Sequence, residues 1–344
     1  MIEVAKAAGL SQATVSKVVN GHPGVSPETV RLVRAAMKQV GYEPPPATRR
    51  RGPRSRAQHG IRTGNVALLV FGKAHRLHAG VLAAQLQGVA SALTQNRLNM
   101  FFAYVNEEDG LPPIITEDRV DGVLGIGRKP SDPLWTRLKR FPLVWVTSQT
   151  TPSNDQVLPG NEAIGRLAYE YLTQQGHERL AYLNPFSCYP AYRVRTQSFQ
   201  FAAFQAGVKV QMLTHSHATA QSPAGMSFDE LEQLIHPLVA EWKQSTPRAT
   251  GMFIPDDLLT AITYRALRAQ GITPGRDVQI ISAANETPFL AGLQPRPATI
   301  DIGAEVMGRR AVEQLLWRMR HPRQERQVQV TIDPVIVPGE LSDQ

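Results

Sequence analysis

The alternation of apolar runs with helix-patterned stretches between Asn65 and Val337 constrains the fold of this chain more than any other feature of its sequence. The runs are continuous in Val, Leu and Ile, which is typical of parallel strands that helices cover on both faces. Predicted strands cover residues 65–71, 99–105, 120–127, 142–148, 179–184, 250–255, 278–284 and 327–337. Predicted helices cover residues 80–97, 131–140, 161–177, 197–208, 227–244, 257–272 and 304–320. We therefore expect two doubly wound α/β lobes, with a ligand crevice between them at the carboxyl ends of the strands.

Composition narrows the class of protein further. A chain of 344 residues is long for one domain and suits two or three. Cys188 is the only cysteine, so one chain cannot build a disulfide framework or a structural zinc site, which fits a reducing compartment. The N-terminal segment lacks a continuous apolar run, and no window of the chain reads as a membrane span. We therefore expect a cytoplasmic protein with no membrane partner.

The positive charge of the chain is concentrated at its N-terminal end. Residues 1–64 hold eleven Lys or Arg and three Asp or Glu, out of totals of 37 and 29. Residues 65–344 therefore hold 26 of each sign, and the net charge of +8 belongs entirely to the first fifth of the chain. A small basic module on a neutral body indicates a polyanionic partner such as nucleic acid.

Three short helices are predicted within residues 1–44, so the basic module is folded rather than a tail. Gly9, which reaches positive φ without steric cost, ends the first helix, and Ser11 caps the second. Ser26 begins the third helix as a cap, and Gly41 ends it. The predicted inner faces consist of Val4, Ala5 and Ala8, then Val15, Val18 and Val19, then Val30, Val33, Met37 and Val40.

The spacing of Ala5, Gly9 and Val15 is typical of a helix-turn-helix motif. The alanine lets two helices pack closely, the glycine forms the turn, and the valine anchors the second helix in a small core. In this motif the N-terminal end of the second helix enters the major groove of DNA. Gln12 can bind adenine bidentately there, and Ala13 can contact a thymine methyl group.

The other polar residues of the second helix suit contacts with the DNA backbone. Lys17 can reach a guanine edge or a phosphate, unless it is an ordinary solvated lysine. Ser11, Thr14 and Ser16 are short hydrogen-bond donors that suit phosphate oxygens, although Ser11 can also serve simply as a helix cap.

The segments VAKAAGLSQATVSKVVNG and VSPETVRLVRAAMKQVGYEP resemble the DNA-binding headpiece of the lactose-repressor (LacI/GalR) family, almost without gaps over residues 2–44. The resemblance implies a sequence-specific transcription regulator, a repressor, whose partner is a double-stranded DNA operator. It places Gln12 and Ala13 at base-reading positions, Lys17 where the family usually has arginine, and Tyr42 at the DNA backbone. The headpiece residues expected to bind DNA are Ser11, Gln12, Ala13, Thr14, Ser16, Lys17, Asn20 and Tyr42.

Residues 45–64 form a basic linker where the family usually has a short hinge helix that wedges a leucine into the minor groove. The leucine position falls at Arg51, and a Gly-Pro pair follows it at once. Glycine and proline are poor helix residues, so we expect no leucine wedge and a linker that is disordered without DNA. Arg49, Arg50 and Arg51 can instead lie along phosphates or a narrow minor groove.

Residues 65–344 resemble the same family more loosely, which implies the fold of periplasmic sugar-binding proteins and a small-molecule effector. The expected effector-binding residues are Thr147, Arg195, Asp256 and Asn285. Carboxylates that grip sugar hydroxyls in the family are missing, because Thr147, Gly160 and Ala284 stand at their positions. The effector is therefore a sugar held differently, another small molecule, or absent. The simpler explanation of Asp256 is a helix cap, and the simpler explanation of Arg195 is a surface ion pair.

Catalytic and cofactor-binding motifs are not evident in the sequence. GVLGIG, residues 122–127, lies within a predicted strand and is a weak dinucleotide signal, and His177-Glu178 is not part of an H-E-x-x-H motif. We therefore expect no enzyme, cofactor or metal. Because one headpiece reads only a half-site, we expect a homodimer or higher oligomer on an inverted repeat, with helix 80–97 in its interface. The alternative is a ligand-binding protein of the same fold that does not read DNA sequence.

Replacing Arg49, Arg50 and Arg51 with Ala should flatten the salt dependence of DNA binding. Each phosphate contact that is lost removes about one unit from the slope of log K against log salt concentration. Binding titrations at several salt concentrations measure that slope. An unchanged slope would exclude phosphate contacts by these three residues.

Overall fold

The structure, a computed structural model, describes residues 1–19, 24–44, 61–72, 79–146, 154–215 and 226–340. The chain forms two compact units, Met1–Arg62 and Thr63–Gln344, which we call the headpiece and the body. Several predicted binding residues lie outside the described ranges, namely Asn20, Arg49, Arg50, Arg51 and Thr147. So does most of the linker that is predicted to be disordered, residues 45–64, of which only residues 61–64 are described. Within the described part of the chain, no helix is long and apolar enough to span a lipid bilayer.

The headpiece contains the three predicted helices: α1 (Ile2–Ala8), α2 (Gln12–Val19) and α3 (Pro27–Gln39). Gly9 follows α1 with φ 64°, a left-handed conformation that turns the chain sharply toward α2. The Oγ of Ser26 accepts the Thr29 N–H at 3.2 Å and caps α3. Gly41, also at φ 64°, follows α3. The predicted helix ends are therefore confirmed.

The headpiece core is small and draws on all three helices. Val4, Val15 and Val33, one from each helix, are fully buried. Ala36, rather than the predicted Val30, completes the buried face of α3, since Val30 is only half-buried. The valine of the helix-turn-helix spacing thus has the anchoring role that the sequence predicts.

Lobe 1 of the body is built on an all-parallel sheet with the strand order β11-β5-β4-β3-β1-β2. Its strands are β1 (Asn65–Phe71), β2 (Asn99–Val105), β3 (Gly122–Gly127), β4 (Leu143–Val146), β5 (Asp155–Pro159) and β11 (Gln329–Ile332). Helices α4 (Ala79–Gln95) and α12 (Ala304–Arg320) lie on one face, and α5 (Pro113–Thr116) and α6 (Asp132–Leu138) lie on the other. Every residue of β1 after Asn65 is buried, as expected for a central strand between two helical layers.

Lobe 2 is built on a second sheet with the order β12-β10-β9-β8-β6-β7, parallel except where β12 pairs with β10. Its strands are β6 (Leu180–Leu183), β7 (Val210–Leu213), β8 (Gly251–Phe253), β9 (Gln279–Ala283), β10 (Ala298–Asp301) and β12 (Val335–Val337). The helices are α7 (Asn161–Gln174) and α8 (Pro190–Gln205) on one face, α9 (Phe228–Gln244) and α10 (Asp257–Ala269) on the other, and the short α11 (Thr287–Leu290). The predicted pair of doubly wound lobes is confirmed.

The strands predicted from the sequence do not include β5, β7 and β10, and one predicted strand covers both β11 and β12. The three missed strands contain only four or five residues, and polar side chains interrupt their apolar runs. The prediction of one last strand over 327–337 is wrong, because the chain breaks at Asp333-Pro334. Proline cannot donate a hydrogen bond to a strand ladder, so β11 ends in lobe 1 and β12 begins in lobe 2.

The chain crosses between the lobes three times, and the crossovers lie side by side. They are Gly160 between β5 and α7, Ile302-Gly303 between β10 and α12, and Asp333-Pro334 between β11 and β12. The Gly160 N–H donates to the Ile332 carbonyl at 2.9 Å. A Cβ on Gly303, which has φ 67°, would lie 2.8 Å from Cγ2 of Ile332. The carboxyl ends of the parallel strands of both sheets meet at these crossovers, where the ligand crevice is predicted.

A buried ion pair attaches α12 to the sheet of lobe 1. The side chain of Asp155, in β5, is 1% exposed and pairs with Arg318 of α12. The Nε of Arg318 donates to Oδ2 at 2.9 Å, and Gln314 donates to the same oxygen at 2.6 Å. The Val328 N–H, which precedes β11, donates to Oδ1 at 3.0 Å. One carboxylate therefore holds a helix and two strands together.

The variant Arg318→Ala should destabilise the body by about 3 kcal/mol, because it leaves the Asp155 carboxylate buried without its cation. Arg310→Ala is the matched control, since Arg310 lies on the same helix and pairs with Glu313 at the surface. Loss of that exposed pair should cost less than about 1 kcal/mol. Urea unfolding measures both, and equal losses would show that the buried pair adds nothing.

Candidate DNA-binding surface and ligand crevice

The outer surface of α2 presents the residues predicted to read bases. Gln12, Ala13 and Lys17 are exposed, whereas Val15 on the opposite side of the helix is fully buried. Because the buried valine fixes the rotation of α2 about its axis, the three exposed side chains share one outer surface. An amide, a methyl group and an ammonium group at the start of a helix match the hydrogen-bonding and apolar groups of a major groove.

Ser11 acts as the cap of α2, the simpler of the two roles considered for it. Its Oγ accepts the Thr14 N–H at 3.1 Å and lies 2.9 Å from Oγ1 of Thr14. Ser16 is half-buried, and so is Tyr42, which packs against the headpiece core. The Tyr42 N–H donates to the Met37 carbonyl at 2.9 Å, just after α3. The phosphate contacts of these residues stay predictions.

Arg195 lies inside lobe 2, so the explanation of a surface ion pair is wrong. Arg195 lies on α8 and is 4% exposed. It forms no ion pair with any of the described residues. The Nε donates to Oδ1 of Asn161 at 2.8 Å, and Nη1 donates to the Pro255 carbonyl at 2.5 Å. The guanidinium therefore joins the start of α7 to the end of β8, at the crevice edge of the sheet.

Asp256 is the N-cap of α10, as the simpler explanation has it. Its Oδ1 accepts the N–H groups of Leu258 and Leu259 at 3.0 and 3.3 Å. Burial raises the pKa of the neighbouring Tyr192 well above its usual value, and the negative charge of Asp256 raises it further. The Tyr192 hydroxyl therefore stays protonated, and the Arg195 guanidinium lies 5.8 Å from the centre of its ring. The structure brings the predicted arginine and aspartate into one polar cluster through this tyrosine.

Asn161 is a member of the same cluster that sequence reasoning missed. It is 3% exposed, and while its Oδ1 accepts from Arg195, its Nδ2 has no hydrogen-bond partner among the described residues. A buried donor without an acceptor is costly, so an unfilled donor in a crevice is a candidate ligand contact. The sequence does contain one signal for Asn161, because it follows Gly160, which stands where the family has an acid.

The backbone is strained at the end of β9, where Asn285 was expected to contact the effector. Ala284 has φ 121° and Asn285 has φ 56°, values that residues with a side chain seldom adopt and that concentrate at binding sites. The Nδ2 of Asn285 donates to Asp301 at 3.1 Å, and its N–H donates to Thr299 at 3.3 Å. The half-buried Asn285 is thus engaged within lobe 2.

Two buried acids beside this segment were also missed. Asp257 is fully buried and accepts hydrogen bonds from the hydroxyls of Ser282 and Thr299 and from the Glu286 N–H, the last at 2.7 Å. Glu286 is 2% exposed, and its Oε1 accepts the N–H groups at the start of α4, in lobe 1. Neither acid has a sequence signal, because the partners lie in other parts of the chain. Among the described residues, no group of His, Cys, Asp or Glu is arranged to hold a metal ion.

Residues 1–45 match the model of the bacterial regulatory proteins of the lacI family, and residues 169–340 match the periplasmic binding protein-like domain. The chain belongs to the lacI family. The two matched regions correspond to the helix-turn-helix headpiece and the two-lobed body. The chain is therefore a DNA-binding transcriptional regulator rather than an enzyme, like the relatives it matches. The family and the class of function predicted from the headpiece segments are therefore confirmed.

Relatives of this lacI-family chain cover nearly its whole length. It is 27% identical to the HTH-type transcriptional regulator CelR of Thermobifida fusca, over 92% of this chain and 90% of that one. It is 23% identical to the ribose operon repressor of Escherichia coli strain K12, over 96% of each chain. The solved structure of a CelR–cellobiose complex has the same fold, with a TM-score of 0.66, 24% identity and 98% coverage of both chains.

The buried Asp257 should make stability fall as pH rises toward neutrality. Burial raises its pKa from 3.8 to about 7, although hydrogen bonds from Ser282 and the Glu286 N–H oppose this. Because the folded-state pKa is the higher one, the contribution of Asp257 is complete below about pH 4 and is lost as pH rises through about 7.

The stability of the wild type relative to Asp257→Asn should therefore fall by about 2–3 kcal/mol between pH 5 and pH 7. Urea unfolding at several pH values measures this difference, and the uncharged asparagine cancels the titration of all other groups. A difference that stays constant would mean that the three donors keep the Asp257 carboxylate ionised.

Proposed function

We propose that this lacI-family regulator represses transcription by binding an inverted-repeat operator as a homodimer, under the control of a small molecule held between the lobes of the body. The observation that carries the proposal is the exposed set Gln12, Ala13 and Lys17, on a helix whose rotation Val15 fixes. One such helix reads a half-site, and a dyad-related copy reads the other half.

Direct base contacts come from Gln12, which binds adenine, and from Ala13, which contacts a thymine methyl group. Lys17 reaches a guanine edge or a phosphate. The remaining proposed contacts position the headpiece on the DNA backbone, through Ser11, Thr14, Ser16, Asn20 and Tyr42 and through the linker residues Arg49, Arg50 and Arg51. The positive charge of the headpiece and linker supports this division, because phosphate contacts supply affinity while base contacts supply specificity.

The effector site is the polar cluster at the carboxyl ends of the strands of lobe 2. Its proposed members are Arg195, Asp256 and Asn285, together with Asn161 and Tyr192. Thr147, the residue after β4 in the sequence, stays a predicted contact. The buried Nδ2 of Asn161 supports a ligand with hydrogen-bond acceptors. The CelR relative is solved with cellobiose, so sugars are the first ligands to test, although family acids are absent at Gly160 and Ala284.

The oligomer and the compartment follow from the same proposal. A monomer with one headpiece recognises only half of an inverted repeat, so at least two chains are needed. The helix α4 on lobe 1 is the proposed interface element. A DNA-binding regulator works where its operator is, so the proposed location is the cytoplasm, in association with the nucleoid.

A selection of duplexes from a random-sequence library with the full-length protein tests the function. The expected result is enrichment of an inverted repeat, whereas salt-sensitive binding without sequence preference would contradict the proposal. Gln12→Ala should then weaken binding by about 1–3 kcal/mol at one base position in each half-site.

The matched control for Gln12→Ala is Gln39→Ala, which removes a glutamine of α3 that is also exposed. It should leave the enriched sequence and the affinity unchanged. Equal losses by Gln12→Ala on every sequence would remove Gln12 from base readout while leaving its contribution to affinity.

A further inference from the structure

Glu286 joins lobe 2 to lobe 1 through its side chain. It follows β9 in lobe 2, and its Oε1 accepts the N–H groups of Gly80 and Val81 at 3.1 and 3.0 Å. Those two N–H groups belong to the first turn of α4, in lobe 1, where the partial positive charge of a helix is concentrated. The residue is 2% exposed, so these hydrogen bonds are shielded from water and are stronger than surface contacts.

Position 80 has little room for any residue other than glycine. A Cβ on Gly80 would lie 2.9 Å from Oε1 of Glu286 and 3.1 Å from its Cγ. Oε1 is the end of a flexible side chain, so a Cβ at position 80 would displace the carboxylate from the start of α4. The absence of a side chain at Gly80 is thus a condition for the contact between the carboxylate and the helix.

The backbone of Glu286 is itself held in lobe 2. Its N–H donates to Oδ2 of Asp257 at 2.7 Å, and the other oxygen of Asp257 accepts from the hydroxyls of Ser282 and Thr299. Asp257 is the first residue of α10, directly after Asp256 of the proposed effector cluster. Glu286 and the proposed effector cluster are therefore both attached to the start of α10.

Apolar contacts accompany the polar one at the same place. Val81 and Ala84, on the first turns of α4, pack against the core of lobe 2, which includes Ile281, Ala283 and Ile302. Further along, α4 and α12 lie so close that a Cβ on Gly308 would lie 2.9 Å from the backbone nitrogen of Val89. The start of α4 thus contacts both lobes, and α4 is packed tightly against α12.

We propose that Glu286 is a positioning residue that couples the effector cluster of lobe 2 to helix α4 of lobe 1. Its carboxylate holds the start of α4 against lobe 2, and breaking this contact frees α4 and α12 to shift relative to lobe 2. The coupling rests on the proposed function, since α4 is the proposed dimer-interface helix. The contact itself does not rest on that function.

Hydrogen exchange of the full-length protein tests the contact. In the wild type the N–H groups of Gly80 and Val81 should be protected, because they donate to a buried carboxylate. Glu286→Ala should make them exchange at least about tenfold faster. Glu286→Gln keeps an oxygen that can accept both hydrogen bonds but loses the charge, so exchange should fall between the two.

Glu162→Gln is the matched control, because Glu162 is an exposed acid in the first turn of α7, a different helix of the body. It should leave exchange in α4 unchanged. Unchanged exchange in Glu286→Ala as well would overturn the proposal.

Gly80→Ala tests the same contact by changing its partner residue in lobe 1. Alanine is the better helix former, so without the contact this change would slow exchange in the first turn of α4. With the contact, its Cβ displaces the carboxylate and exchange speeds up. The double variant of Gly80→Ala with Glu286→Ala should resemble Glu286→Ala alone, because both changes remove one interaction. Effects that multiply in the double variant would contradict a shared contact.

Binding to the selected operator separates the contact from the coupling. If Glu286 couples the lobes, Glu286→Ala and Gly80→Ala should shift the operator dissociation constant in the same direction by at least about threefold, and Glu162→Gln should not shift it. Faster exchange with an unchanged dissociation constant would overturn the coupling and leave Glu286 a local helix cap. If the wild type shows no sequence preference, the proposed function fails, while the exchange result still decides the contact.

Discussion

The side-by-side packing of three chain crossovers is the constraint on which the body depends. Gly160, Gly303 and Pro334 each carry the chain from one lobe to the other, and the bond from the Gly160 N–H to the Ile332 carbonyl ties two of them together. Three crossings at one place keep the lobes attached to each other, and a relative movement of the lobes would have to be absorbed by these joined segments. The proposed ligand crevice lies beside these crossovers, so a ligand held there would contact both lobes next to the segments that join them.

The position of α2 in the headpiece is fixed by a very small apolar core together with well-formed helix ends. Val15 is the residue on which the proposed base recognition rests, because its burial decides which side of α2 faces outward. The cap at Ser11 and the left-handed Gly9 fix where α2 begins. A few apolar contacts and two turns thus determine the position of the side chains proposed to meet DNA bases.

Local patterns in the sequence predict the headpiece almost completely and the body in outline. The spacing of Ala5, Gly9 and Val15 is confirmed because each residue acts on its own helix or turn. Short strands such as β5 and β10 were missed, since their register and burial come from neighbouring strands rather than from their own apolar content. In the crevice, Arg195 was found by resemblance, but its burial against Asn161 was not foreseen. Glu286 was missed altogether, since its partners Gly80 and Val81 lie 206 and 205 positions away.

The division of the last strands between two sheets has a consequence for synthesis of the protein on the ribosome. Residues 329–332 complete the edge of lobe 1 beside β5, and residues 335–337 complete the edge of lobe 2 beside β10. Until these residues leave the exit tunnel, both nascent lobes carry an unpaired strand edge that can pair with other chains. The headpiece emerges well before these strands, whereas neither sheet of the body can close until residues 329–337 have emerged.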